Sequence, residues 1–176
     1  MKKDRRHAID IFKAMENMMT EDGKNTNGAD VSDLERYLPY HFHLVTAGLS
    51  SRFLERLRPY GVTVQRWRVL MVIMTKGPRN IGELVKLTLI PQSALSRLID
   101  QMERDGLVKR HTLPSDTRVV EVRLTDHGRE IYRQLTPAAT KHAQSMISGF
   151  RDEEVKDLFD KLQRILENLD VTPVSD

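Results

Sequence analysis

The segment "IPQSALSRLIDQMERDGLVKR", Ile90–Arg110, decides the fold of this chain. Its large apolar residues recur with the i, i+3, i+4, i+7 spacing of a helix that buries one face. Gly106 stands where a helix commonly closes with a left-handed residue, and Leu107 can then pack back on Met102. The segment therefore predicts a short amphipathic helix with a sharp end. Its predicted core face consists of Leu95, Leu98, Ile99 and Met102.

The opposite surface of this helix is polar from its first turn onward. A helix that served packing alone would not need a glutamine, two serines and an arginine there. Either these side chains bind something or they are ordinary solvated residues, and the neighbouring elements decide between the two. The residues concerned are Gln92, Ser93, Ser96, Arg97 and Asp100.

Short helices precede this segment and a hairpin follows it. Thr63 is predicted to cap one helix, and Asn80 with Glu83 forms a capping box for the next. The stretches "LVKRHTL" and "RVVEVRL" alternate as strands do, and "PSDT" between them supplies turn formers. This order of elements predicts a winged helix-turn-helix over residues 61–125.

Long helices are predicted on both sides of this region. One covers about Leu38 to Arg58, and the last has apolar residues spaced 3, 4, 3, 4 from Val155 to Leu169. Together they carry more apolar surface than a small winged domain covers. Residues 33–60 and 126–170 are therefore predicted to form a helical dimerisation region, with packing of the two helices within one chain as the alternative.

Two further features complete the predicted organisation. Residues 1–32 have the pattern of an amphipathic arm followed by a polar linker. Pro137 should kink or interrupt the helix that follows the hairpin. The predicted fold class is mainly α with a small β-hairpin wing (α+β), in which a winged helix-turn-helix is flanked by N- and C-terminal dimerisation helices.

The hairpin directly after the polar helix favours DNA as its partner. In a winged helix-turn-helix the second helix enters the major groove with its N-terminal residues against base edges. Gln92 can bind adenine and Arg97 can bind guanine in bidentate fashion, while Ser93 and Ser96 are adaptable. The helix N-terminus also offers free N–H groups to a phosphate.

The hairpin loop carries a second candidate contact. Arg118 follows Asp116 by two residues, and a loop arginine beside such a helix can enter a narrow minor groove. Asp116 could brace the guanidinium by a bidentate pair. The alternative makes Asp116 a turn former and Arg118 a charge at a strand edge.

Composition excludes several function classes. The 176 residues contain no cysteine, which excludes disulfides, thiolate metal sites and cysteine-based redox sensing. The net charge of +3 suits a polyanionic partner without demanding one. The longest apolar run, Val69–Met74, is too short to cross a membrane, and the N-terminus lacks the pattern of a secretion signal, so a cytoplasmic location is expected. No motif of an enzyme, a cofactor site or a metal site is found, so none of these is predicted.

Four stretches together resemble the MarR family of transcriptional regulators. They are "GVTVQRWRVL", "IGELVKLTLIPQSALSRLIDQMERDGLVKR", "SDTRVVEVRLTDHG" and "DEEVKDLFDKLQRILENL". The resemblance covers roughly Asp33 to Asp170. Its most specific part is an Asp-x-Arg wing followed by Leu-Thr-x-x-Gly, here Asp116, Arg118, Leu124, Thr125 and Gly128.

The resemblance implies a homodimeric winged-helix repressor that binds a palindromic double-stranded DNA operator. It implies that Arg118 enters the minor groove and that the start of the Gln92–Asp105 helix enters the major groove. It also implies release from DNA by a small aromatic or phenolic compound, bound between the dimerisation helices and the DNA-reading lobe. The N-terminal arm and Pro137 depart from the family pattern.

Aromatic, histidine and arginine residues suggest where such a ligand would bind. Tyr37 and His41 are four residues apart on one helix face, and Trp67 adjoins Arg68 on the second helix. Aromatic walls with a His or Arg donor suit a small aromatic carboxylate. The alternative makes Trp67 a core residue and the histidine a surface residue.

Two other functions remain open at this level. The chain could bind DNA without any small-molecule ligand, or the winged helix could serve as a protein-interaction module. Salt dependence separates DNA binding from protein contact, because only the former releases counterions from phosphates.

Overall fold

The computed structural model describes Ala29, residues 31–113 and residues 116–171, and it leaves the side chains of residues 113 and 116–119 undescribed. The predicted N-terminal helix lies outside these residues. The helices are α1 (Leu38–Leu57), α2 (Val64–Lys76), α3 (Ile81–Thr88), α4 (Gln92–Arg104), α5 (Asp126–Met146) and α6 (Asp152–Asn168). The strands are β1 (Arg79–Asn80), β2 (Val108–Leu113) and β3 (Asp116–Leu124), and short 3-10 turns cover Leu34–Arg36 and Arg58–Tyr60.

The chain divides into two compact units, Met1–Thr46 and Ala47–Asp176. In the first, the Asp33 carboxylate accepts the Glu35 N–H at 3.0 Å and begins the 3-10 turn. The Nε2 atom of His41 lies 2.9 Å from the Glu35 carbonyl oxygen. The predicted division into 1–32, 33–60 with 126–170, and 61–125 stays a prediction.

The second unit is built on one apolar core to which α2, α3, α4, α5 and the sheet all contribute. The predicted inward face of α4 is confirmed, since each of its four residues is buried. Burying a leucine or isoleucine side chain stabilises the fold by about 1.5–3 kcal/mol, so this face holds α4 firmly. The most deeply buried side chains of the core are Leu57, Val69, Leu70, Leu84, Leu95, Ile99, Met102, Val108, Val122 and Leu135.

Helix starts and ends follow the sequence signals. The Thr63 hydroxyl accepts the Arg66 N–H at 3.2 Å, and Asn80 and Glu83 form the predicted capping box through two bonds of 3.0 Å. At the end of α4, Gly106 has φ +69° and the Leu107 N–H donates to the Met102 carbonyl oxygen at 2.8 Å. This is the predicted Schellman stop.

The hairpin is confirmed, and it belongs to a three-stranded antiparallel sheet of order β1-β3-β2. Val108 pairs with Leu124, and Arg79 of β1 pairs with Val122. Val122 and Leu124 on one face of β3 are buried, whereas Val120 on the same face is exposed. A two-residue strand such as β1 has no periodicity, which is why the sequence did not predict it.

The helix α5 begins in close contact with the turn after α4. The Thr125 N–H donates to the Leu107 carbonyl oxygen at 3.1 Å, and the Gly128 N–H donates to the Thr125 hydroxyl at 2.9 Å. A Cβ atom added to Gly128 would lie 2.0 Å from the Leu107 carbonyl oxygen. Only glycine therefore fits this position without a backbone shift. We call the contact among Leu107, Thr125 and Gly128 the α4–α5 junction.

Of the two outcomes predicted at Pro137, the interruption is wrong, because α5 is one helix from Asp126 to Met146, and the kink stays a prediction. Proline lacks a backbone N–H, so only the single bond to the Arg133 carbonyl is lost, and the bonds on either side hold the helix together. Next to it, the Thr136 hydroxyl donates to the Tyr132 carbonyl oxygen at 2.9 Å.

The last helix, α6, is amphipathic as predicted but has no buried residue. The apolar side chains of its stripe are half-buried or exposed; they are Val155, Leu158, Phe159, Leu162, Ile165 and Leu166. Among the described helices, none is long and apolar enough to span a membrane.

Replacement of Gly128 by alanine tests the α4–α5 junction. We expect Gly128→Ala to lower the free energy of unfolding by about 2–3 kcal/mol, since overpacking against a fixed backbone forces the helices apart. Chemical denaturation measures this loss. The matched control is Gly48→Ala on α1, where an added Cβ meets nothing within 4 Å. That change should stabilise the protein by about 0.5–1 kcal/mol, because alanine favours the helix. Equal effects of the two changes would contradict the junction's importance.

Candidate functional site

The outward surface of α4 presents most of the side chains that the sequence singled out. Gln92, Ser93 and Arg97 are exposed and Ser96 is half-buried. They are held in place because the opposite face of the helix is locked in the core. The structure therefore brings all four together on one short exposed surface, which we call the α4 surface.

The N-terminal end of α4 is open. Pro91 is the N-cap residue and its side chain makes no capping hydrogen bond. The first bond of the helix runs from the Leu95 N–H to the Pro91 carbonyl oxygen at 2.9 Å, so the N–H groups of residues 92–94 point out of the helix end. This end carries a partial positive charge of about half an elementary charge. It suits an anion such as a phosphate.

The electrostatic surroundings of Arg97 differ from those of Arg66 and Arg129, two arginines of the same unit that have acidic partners. Arg66 pairs with Asp105 at 2.6 Å, and Arg129 pairs with Asp126 at 2.8 Å. Within the described part of the chain, Arg97 makes neither an ion pair nor a side-chain hydrogen bond. Its guanidinium therefore keeps all its donors available for a partner outside the chain.

Arg110 of β2 forms a bracket that the sequence did not predict. The guanidinium of Arg110 binds the carboxylates of Asp100 and Glu103, each at 2.5 Å. The backbone N–H of Arg110 also donates to the Glu103 carboxylate at 2.8 Å. Asp100 is exposed, as predicted for the surface of α4, but it is engaged by this arginine. The bracket ties the hairpin to α4. The one sequence signal was the spacing of two acids three residues apart on one helix face.

The predicted wing residues Asp116 and Arg118 belong to β3 by their backbone. Their side chains lie outside the described part of the structure. Their roles stay predictions.

Trp67 and Arg68 line a cavity of about 220 Å³ in the second unit. Trp67 is stacked on Tyr132 with ring centroids 5.1 Å apart, and its edge meets Phe53. Phe53 in turn is stacked on His142 at 4.7 Å. The cavity is therefore walled by aromatic rings, with an arginine at its boundary. The other lining residues are Leu49, Ser50, Phe53, Val64, Met71 and His142.

His142 is a cavity residue that the sequence did not single out. Its Nδ1 atom is buried without a hydrogen-bond partner in the described structure. Burial lowers the pKa of His142, and the positive charges of Arg56 and Arg52 lower it further. The ring is therefore neutral at pH 7 and presents an unused polar group. Its position in the long α5 helix gave no local signal.

Tyr37 and His41, the other two predicted ligand residues, belong to the first unit. Tyr37 has an extended backbone and precedes α1, so the prediction that it shares a helix face with His41 is wrong. The ring of His41 meets that of Tyr40 edge-on at 6.1 Å. Their part in a ligand site stays a prediction. Among the described residues, no group of three metal-ligating side chains is assembled.

A family model, related sequences and solved structures all indicate similarity to the same family of proteins. The model of the MarR family matches residues 60–119. The HTH-type transcriptional repressor IacR of Pseudomonas putida is 26% identical over 133 residues, which cover 75% of this chain and 80% of that protein.

Solved structures of the same family match the fold. A MarR mutant from E. coli in complex with operator DNA has a TM-score of 0.70 and 27% identity, and the match covers 78% of this chain and 99% of that one. BpsR of Bordetella bronchiseptica, described with the regulation of its DNA binding by 6-hydroxynicotinic acid, has a TM-score of 0.69. At 21% identity, over 76% of this chain and 95% of that one, BpsR is similar in fold alone.

Proposed function

We propose that this chain is a DNA-binding transcriptional regulator of the MarR family, a homodimeric repressor of a palindromic operator that is released by a small aromatic or phenolic ligand. The family and its fold are those of DNA-binding regulators and not of enzymes. The observation that carries the proposal is the α4 surface, polar, exposed and rigidly backed by the core.

The α4 surface supplies the chemistry for reading bases. Gln92 reaches adenine N6 and N7, and Arg97 reaches guanine O6 and N7, each through two hydrogen bonds. Arg97 is suited to this role because no carboxylate of the described residues competes for its donors. The open helix end binds a phosphate and sets the position of the helix in the groove.

The wing extends the same surface. We keep Arg118 as the minor-groove contact and Asp116 as its brace, on the resemblance of the Asp-x-Arg sequence. The Arg110 bracket supports this assignment, because it holds β2 against α4 and so fixes where the hairpin lies beside the DNA.

The apolar face of α6 supports a dimer. Phe159 is 67% exposed, and no residue of α6 is buried within the chain. A second copy of the chain would cover this face, and residues 33–60 and 126–170 would then form the dimerisation region. A two-fold dimer presents two α4 helices to half-sites about 34–36 Å apart, which explains a palindromic operator.

The aromatic cavity supports a ligand. Its rings suit a flat aromatic compound, Arg68 suits a carboxylate, and the free Nδ1 of His142 accepts a hydrogen bond from a phenol or an acid. The volume of about 220 Å³ is that of a small molecule and not of a large cofactor. BpsR offers a parallel, since its DNA binding is described as regulated by an aromatic acid. Tyr37 and His41 remain proposed as additional ligand contacts.

Variants of Arg97 and Arg118 test the reading of DNA. Arg97→Ala should weaken binding to the selected operator by about 1–3 kcal/mol and leave binding to random DNA of equal length unchanged, because it removes a base contact. Arg118→Ala should weaken binding to both DNAs. Fluorescence anisotropy over a salt series measures each affinity, with log affinity falling by about 0.9 per phosphate contact for each unit of log salt. Equal losses for Arg97→Ala on both DNAs would show that it contacts only phosphate.

The oligomeric state tests the role of α6. Light scattering after size exclusion at micromolar concentration should give about twice the 20.4 kDa mass of the chain. Phe159→Lys should yield monomers, since it places a charge in the apolar face. Asp160→Lys, at an exposed position outside the apolar stripe of α6, is the matched control and should leave the dimer intact. A monomeric wild-type protein would contradict the proposal.

Ligand binding is measurable through Trp67, the single tryptophan of the chain. Titration with a panel of aromatic carboxylates should change its fluorescence, and the same compounds should weaken operator binding. Arg68→Gln should lower the affinity for carboxylates by about tenfold, the worth of one charge-assisted hydrogen bond, while uncharged phenols should bind as before. If no compound of the panel changed the fluorescence, the proposed ligand would be contradicted, and the alternative of DNA binding without a small-molecule ligand would be favoured.

A further inference from the structure

Leu89, in the turn between α3 and α4, has a backbone conformation that leucine rarely adopts. Its φ is +56° and its ψ is +26°, in the left-handed region. Its N–H closes α3 by donating to the Val85 carbonyl oxygen at 2.9 Å. Glycine is the usual residue for this conformation, because a Cβ atom collides with the following carbonyl oxygen. A leucine is therefore strained here.

The neighbours of Leu89 fix this conformation. Thr88 and Ile90 are both only 2% exposed, so the chain enters and leaves the turn through the core. The Thr88 hydroxyl donates to the Leu84 carbonyl oxygen at 2.6 Å. With both flanking side chains anchored inside, the side chain of Leu89 has only the outward direction left.

That side chain is consequently 78% exposed, more than any other large apolar residue that the structure describes. Exposure of a leucine gains nothing for the isolated chain, and the strained backbone costs stability. Neither cost is offset by a contact within the described residues. A contact made only in a complex would offset both.

The location of Leu89 identifies the partner. After the buried Ile90 come the exposed residues Pro91, Gln92 and Ser93, which form the open end of α4. Leu89 therefore adds an apolar side chain beside the polar α4 surface. In the major groove the apolar group of the bases is the C5 methyl of thymine, which aliphatic side chains contact.

We infer that Leu89 is a DNA-contacting residue that packs on a thymine methyl next to the bases read by α4. The inference rests on the proposed function, and it adds a specificity-determining residue outside the recognition helix. It predicts a thymine at a fixed position of each half-site, read by shape and burial and not by a hydrogen bond.

Two variants separate the DNA contact from the backbone strain. Leu89→Gly relieves the strain and removes the side chain, so its melting temperature should equal or exceed that of the wild type while its operator affinity falls about three- to tenfold. Leu89→Met keeps an apolar side chain of similar volume and should retain the affinity. Because no phosphate contact is lost, the salt dependence of Leu89→Gly binding should match that of the wild type.

Operators in which single thymines are replaced by deoxyuridine identify the contacted methyl. For the wild type, one position in each half-site should lose about as much affinity as Leu89→Gly loses on the full operator. On Leu89→Gly, the same replacement should have no further effect. This non-additivity would establish that the side chain and the methyl touch.

Three results would overturn the inference. They are wild-type affinity for Leu89→Gly, a lowered melting temperature for that variant, and equal losses for both proteins on every deoxyuridine operator. Each presupposes that the wild-type protein binds its operator. A wild type that binds no DNA would instead overturn the proposed function itself, so the two failures are distinguishable.

Discussion

The close approach of the α5 backbone to the end of α4 is the constraint on which the second unit depends. At the α4–α5 junction, backbone groups of Leu107, Thr125 and Gly128 meet directly, and the absence of a Cβ on Gly128 makes room for the Leu107 carbonyl. The end of α4, the start of the hairpin and the end of the hairpin are thus joined at one place. The angle between α4 and the wing follows from short backbone bonds and not from long, adaptable side chains.

The same junction connects the α4 surface to the aromatic cavity. Arg66 pairs with Asp105 at the end of α4, and the next residue, Trp67, lines the cavity. Trp67 also stacks on Tyr132, one helical turn beyond Gly128. A molecule in the cavity would therefore touch Trp67, which stacks on α5 and is the chain neighbour of Arg66, the residue that pairs with the end of α4. Packed groups of this kind are one route by which a ligand site can be coupled to a distant surface.

Most of the fold could be predicted from local sequence signals, namely apolar spacing and helix-capping residues. The spacing of four apolar residues gave the buried face of α4, and Thr63, Asn80 with Glu83, and Gly106 gave helix ends that the structure confirms. These predictions worked because capping and periodicity act over a few residues, within one element. The polar α4 surface was predictable for the same reason: residues not needed for burial stand out once the core face is known.

What the sequence could not give depends on contacts between distant elements. The Arg110 bracket joins β2 to α4, and its one local signal was the spacing of Asp100 and Glu103, which does not name the partner. His142 enters the cavity from α5 and had no local signal. The interruption predicted at Pro137 does not occur, because proline removes one hydrogen bond and the bonds of the helix on either side outweigh that loss. The sequence did not single out Leu89, since its backbone strain becomes visible only when Thr88 and Ile90 are known to be anchored in the core. The rigid core thus forces a strained backbone and an exposed leucine onto the surface at Leu89. These two features lie beside the unpaired N–H groups at the start of α4, and a partner outside the chain would compensate for all of them.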